Sequence, residues 1–104
     1  MKIAGRTAWN EPVFEEIGSR DRILLAHLSS LCGDLQDEDD ARHISSAART
    51  ILRGYFFDTA GYILAAQGRD IVITAKYATF EASIDREELA ELMTQWAGHL
   101  ESSD

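Results

Sequence analysis

The chain has 104 residues, 45% apolar and 27% charged, with 18 acidic against 10 basic side chains and a net charge of −8. That length fits one domain able to bury roughly two thirds of its unfolded surface, and the composition excludes wholesale disorder. The acidic balance argues against direct nucleic-acid binding, whose affinity comes from neutralised phosphates, and against an anionic membrane surface.

No apolar run approaches the roughly 20 residues that span a bilayer. The opening Met1-Lys2-Ile3-Ala4-Gly5-Arg6 has no apolar block behind its charges, so it does not read as a secretory signal. The single cysteine, Cys32, offers no internal disulfide. A reducing, cytoplasmic compartment is the expectation.

Residues 1–18 read as an N-terminal arm with one short strand or turn. It is punctuated by Pro12 and Gly18 and docks through Trp9, Val13, Phe14 and Ile17. Residues 19–36 read as a helix, with Ser19 as N-cap and Leu24, Leu28, Leu31 and Leu35 at helical spacing. The acidic run Asp37, Glu38, Asp39 and Asp40 separates it from the next helix and favours that helix's start.

Residues 38–60 read as a second, longer helix, with Ile44, Ala48, Ile51, Leu52, Tyr55 and Phe56 on one face. Ala41, Ala47 and Phe57 widen the apolar arc, as in a helix that is central to the core or contacts a second chain. Gly61 marks its expected end. Residues 61–80 read as a β-hairpin turning at Gly68-Arg69, since glycine accepts the positive φ of a type II′ turn. The alternative, a helix running on through Ala66, stays open. Beyond Ala78 the apolar phase shifts to Phe80, Ala82 and Ile84, which predicts a bulge or a new element.

Residues 85–100 read as an amphipathic C-terminal helix. Asp85 is the N-cap, Glu88 stands at the capping-box position, and Leu89, Leu92, Met93, Trp96 and Leu100 form the stripe. The expected fold is therefore a single α+β domain over residues 1–104. It is helix-rich, with about three helices and a small antiparallel β-hairpin between the second and third.

Catalytic constellations are weak. Cys32 and His27 stand five residues apart on one helix and point in different directions. His43 with Asp39 and Asp40 lacks further ligands to complete a metal set. Neighbouring glutamates on one helix do not face each other across a cleft, and no phosphate loop, nucleophile elbow or Cys-x-x-Cys occurs. No catalytic, cofactor or metal residue is assigned, no cofactor is expected, and the chain reads as non-enzymatic.

The aromatic group is more informative. Tyr55, Phe56, Phe57 and Tyr62 fall within eight residues, flanked by Arg49 and Arg53. Interface cores are enriched in aromatics and arginine. With Ile51 they form the expected partner or dimer interface. Asp37, Glu38, Asp39, Asp40, Glu87 and Glu91 form a candidate acidic patch. The expected function is that of a small acidic regulator or inhibitor, acting as a homodimer and occupying an interface on a larger protein, as an antiactivator of a transcription regulator does. The alternatives are an acidic nucleic-acid-mimicking decoy of anti-CRISPR type, or an immunity protein or secretion chaperone.

Overall fold

In the computed structural model, which describes residues 2–15 and 22–101, the chain opens with strands β1 (Ile3–Arg6) and β2 (Pro12–Phe14). Helices α1 (Arg22–Asp34) and α2 (Glu38–Thr50) follow. A meander then runs through β3 (Gly54–Asp58), β4 (Tyr62–Gln67), β5 (Asp70–Ala75) and β6 (Glu81–Asp85), and α3 (Arg86–Glu101) ends the described chain. The strands form two antiparallel sheets, β1-β2 and β3-β4-β5-β6. The expected Ser19 cap and the docking residue Ile17 lie outside the described residues.

Three helices and antiparallel strands make this an α+β fold. The strand content differs from the expectation. The molecule's two-stranded sheet stands ahead of α1, while the segment between α2 and α3 holds four strands rather than a small hairpin. At the centre of the meander β4 pairs with β5 from Tyr62↔Ala75 to Gln67↔Asp70. Gly68 carries φ 62°, and Arg69 does not share its positive φ. That combination belongs to a type II′ turn.

The long helix over 38–60 is replaced by a shorter helix and a strand. Asp37 caps α2 by accepting the Asp39 N–H at 2.9 Å, and the helix stops at Thr50, with Ile51 already extended at φ −69°, ψ 123°. Gly54 then takes φ 95°, a left-handed conformation that favours glycine and breaks any continuing helix. Tyr55, Phe56 and Phe57 are strong strand formers. Arg86 fixes the break. Its guanidinium donates to the carbonyls of Ala48 at 3.2 Å, Leu52 at 2.8 Å and Ile51, the last turn of α2 and the residues just after it. Gly61 consequently ends no helix. It lies in the β3–β4 turn, where its N–H donates to Asp34 Oδ2 at 3.1 Å.

α3 begins as the cap pattern predicts, with Asp85 Oδ2 accepting the N–H groups of Glu87 at 3.1 Å and Glu88 at 3.2 Å. Its buried stripe includes Leu89, Leu92, Met93, Trp96 and Leu100. α2 and α3 pack antiparallel, since Arg42 near the start of α2 reaches Glu101 and Arg49 near its end reaches Glu87. Small residues allow the close approach: Ala41, Ser45 and Ala48 on α2 are buried, as are Ala90 and Ala97 on α3. The buried Ser45 hydroxyl donates to the Ala90 carbonyl at 2.8 Å.

Helix residues and one face of the meander share a single core, to which the sheet contributes Tyr62, Leu64, Ala66, Ile71, Ile73 and Ile84. The N-terminal hairpin docks through Ile3 and Phe14, whereas Trp9 and Val13, expected to dock it, are exposed. Its turn residue Asn10 donates to the Gly33 carbonyl at 3.3 Å, satisfying an end of α1.

Candidate interaction surface

Period-two alternation along β4 and β5 sends every second residue to the core and the rest outward. The outward set is Ile63 and Ala65 on β4, facing Thr74 and Val72 on β5, with Glu81 and Ser83 opposite these in turn on β6. All the helical core residues lie on the other side, so this face has no cover within the described chain. It forms a shallow concavity of about 800 Å³ floored by Ala65, Val72 and Thr74, with Arg53 at one rim and Glu81 at another.

β3 completes the face through an irregularity. Tyr55 pairs with Ala65, but the register slips between Tyr55 and Phe57, so that Phe57 pairs with Leu64 and Asp58 with Ile63. The extra residue of a bulge puts positions three apart on one side. Tyr55 and Asp58 therefore both point outward, and the Tyr55 hydroxyl donates to Asp58 Oδ1 at 2.8 Å. Lys76 closes the group, donating to Asp58 Oδ2 at 2.8 Å and to the Thr59 carbonyl at 2.6 Å. The Lys76 ammonium, then the Tyr55 hydroxyl, holds the Asp58 carboxyl below its ordinary range. Asp58 in turn raises the Tyr55 phenol and the Lys76 ammonium.

Of the five residues expected at an interface, Tyr55 alone is exposed, at 63%. Tyr62 is 6% exposed, inside the subunit's own core. Its hydroxyl lies 2.6 Å from His27 Nδ1, and burial pushes its phenol up. Ile51, Phe56 and Phe57 pack half-buried against the same core, and Phe57 also meets the His43 ring at 5.6 Å. The bulge lets β3 turn the consecutive Phe56 and Phe57 toward one core, against a strand's usual alternation. Ile63, 37% exposed, and Val72 were not singled out from sequence. The signal for them was the alternation Ile63-Leu64-Ala65-Ala66 against Ile71-Val72-Ile73-Thr74, in which the second residue set belongs to the opposite face.

The six acidic residues do not gather into one patch. Asp37 caps α2, Glu38 lies 3.4 Å from Arg42, and Glu87 takes Arg49 at 2.7 Å. That last pair holds the Glu87 carboxyl down and the Arg49 guanidinium up. Residues 37–40 sit at one end of the α2–α3 pair and Glu87 at the other. Arg42 and Arg49 interrupt the row, and Glu91 stays exposed.

The histidines occupy three separate environments. His27 stacks on Phe80 with centroids 3.7 Å apart, His43 meets Phe57, and His99 Nε2 lies 3.3 Å from the Ile3 carbonyl. Among the described residues no three His, Cys, Asp or Glu side chains converge as metal ligands. Cys32 is fully buried, and burial pushes its thiol up, away from the reactive thiolate. Also among the described residues, no helix is long and apolar enough to cross a membrane. Comparison with family models, curated proteins and solved structures finds no match.

Proposed function

We propose that this chain is a non-enzymatic binding protein that regulates or inhibits by seating its bare sheet face on another polypeptide. The observation that carries the reading is the one-sided meander: helices cover its inner face, while Tyr55 and Ile63 stand outward beside a floor of Ala65, Val72 and Thr74. A bare sheet face that exposes Tyr55 and Ile63 beside Ala65 and Val72 is the kind of surface on which a protein partner seats. The acidic-decoy alternative draws less support, because Asp37, Glu38 and Glu87 are engaged in a helix cap and local ion pairs.

Ala65→Arg places a long charged side chain on the floor without entering the core. Tagged wild-type chain, expressed in its native host, is expected to retain at least one polypeptide that the variant loses, at an unchanged melting temperature. Identical retention by both chains, or none by either even when contacts are fixed by cross-linking before lysis, would refute the reading. A decoy would instead lose its partner steeply as salt rises from about 0.1 to 1 M, where screening shortens to a few ångströms.

A further inference from the structure

Resting on that reading, we propose that the occupant of the sheet face is a second copy of this chain, packed face to face about a two-fold axis that pairs Arg53 of each protomer with Glu81 of the other. The argument begins with where these two charges stand. Gly54 pairs with Ala66, which pairs with Ile71, which pairs with Ile84, so Arg53 lies just beyond one end of the sheet on its β3 side. Glu81 pairs with Thr74, level with Ile63 and Asp58, at the other end of the sheet on its β6 side. The two occupy diagonally opposite corners.

The sheet is nearly square. Three strand spacings of about 4.8 Å make it roughly 14 Å from β3 to β6, and the four-residue step along the strands is about 13 Å. A two-fold axis lying along the other diagonal exchanges the Arg53 and Glu81 corners. Stacked on its image in this way, each sheet sets its arginine above the partner's glutamate twice over. The strands of the two sheets then cross near 90°, one of the two standard sheet packings. Sheets stack about 10 Å apart, a gap that extended Arg and Glu side chains span together.

Two further observations agree. Among the described residues, neither Arg53 nor Glu81 takes an ion-pair partner, whereas Arg42, Arg49, Lys76 and Asp58 all do. The centre of the face is made of Ala65 and Val72, direct cross-strand partners that fall near the proposed axis. Their small size lets two copies approach. This is an isologous contact, self-complementary and closed, so it stops at a dimer. Its projected area is only a few hundred Å² per copy by the same strand spacings, below the roughly 800 Å² per partner of a standard interface. Association is therefore concentration-dependent rather than permanent.

Sedimentation velocity at physiological ionic strength, from about 10 μM to about 1 mM, spans the range expected for so small a contact. The wild type should shift from monomer to dimer. Arg53→Glu and Glu81→Arg should each weaken association at least about tenfold, because both symmetric contacts turn repulsive. An equimolar mixture of the two single variants should associate again, since each contact then joins opposite charges. The doubly reversed chain should also recover. The two positions lie about 19 Å apart within one copy by the strand spacings, so recovery reports only a contact between copies. Far-ultraviolet circular dichroism checks that all variants fold.

A wild type that stays monomeric at about 1 mM overturns the proposal, as does a dimer indifferent to the reversals or a mixture that stays apart. If the wild type is monomeric while Ala65→Arg still loses a captured polypeptide, the face binds something other than its own image. The second-copy proposal then falls, and the reading of the face as a binding surface stands.

Discussion

Arg86 opens α3, yet its guanidinium holds the far end of α2 and the β4–β5 turn. It donates to the carbonyls of Ala48, Ile51 and Leu52, and through Nε to Gly68 at 2.7 Å. The final carbonyls of a helix lack intrahelical donors, and a cation beside them also meets the negative end of the helix dipole. Arg86→Ala is expected to lower unfolding free energy by about 2 kcal/mol in urea titration, since several charge-assisted bonds are lost at once. Arg86→Lys should recover only part of it, because a single ammonium lacks the planar fork that reaches three segments. Asp58 offers a pH test. Its folded pKa is depressed by Lys76 and Tyr55, so the stability it contributes is present above the unfolded carboxylate value near 4 and lost as pH falls through the lower, folded value. Below about pH 4 the wild-type melting temperature should fall more steeply than that of Asp58→Asn. Parallel curves would mean that the Tyr55–Asp58–Lys76 group contributes nothing to stability.

Among the elements, α3 was legible because its signals are local: an Asp cap, acids in the first turn and a stripe at helical spacing. The end of α2 was not. Ile51, Leu52, Tyr55 and Phe56 continue the 3.6-residue pattern of Ile44 and Ala48, so apolar spacing alone could not separate helix from strand over 51–58. The deciding contact comes from Arg86, 34 to 38 residues away from the carbonyls it caps. Glycines give the sharpest check on these two elements. Gly54 sits at φ 95° with open space around a would-be Cβ, so Gly54→Ala meets no clash and reports backbone strain alone. It should cost about 1 kcal/mol or more. Gly98 lies inside α3, also with open space around a would-be Cβ, and Gly98→Ala should raise stability by up to about 1 kcal/mol. Thermal melts of the two variants should move in opposite directions. A gain in both would mean that residues 51–54 continue a helix.

At the scale of the whole molecule, the bare sheet face was harder to foresee than any element. The sequence places Phe56 and Phe57 on the long helix and Tyr62 at the start of the hairpin, and marks all three for an interface because four aromatics crowd into eight residues beside arginines. A bulged β3 and an inward-facing β4 position bury or half-bury all three, and of the expected set only Tyr55 is exposed. Which sheet face lies bare depends on where all three helices pack, a property no stretch of sequence carries alone. The two tryptophans make that arrangement measurable. Trp96 is 0% exposed and donates from Nε1 to the Leu35 carbonyl at 3.2 Å, while Trp9 is 86% exposed in the β1–β2 turn. Beside Trp9, Asn10 is tied to Gly33 at the end of α1, on the helical side of the sheet. Acrylamide should therefore quench two populations, one freely and one hardly at all. If copies associate through the bare face, Trp9 should remain as quenchable in concentrated solution as in dilute, because the hairpin that carries it packs against α1 and α3. A fall in Trp9 quenching that tracks dimer formation would move the contact to the N-terminal hairpin and leave the sheet face open to a different protein.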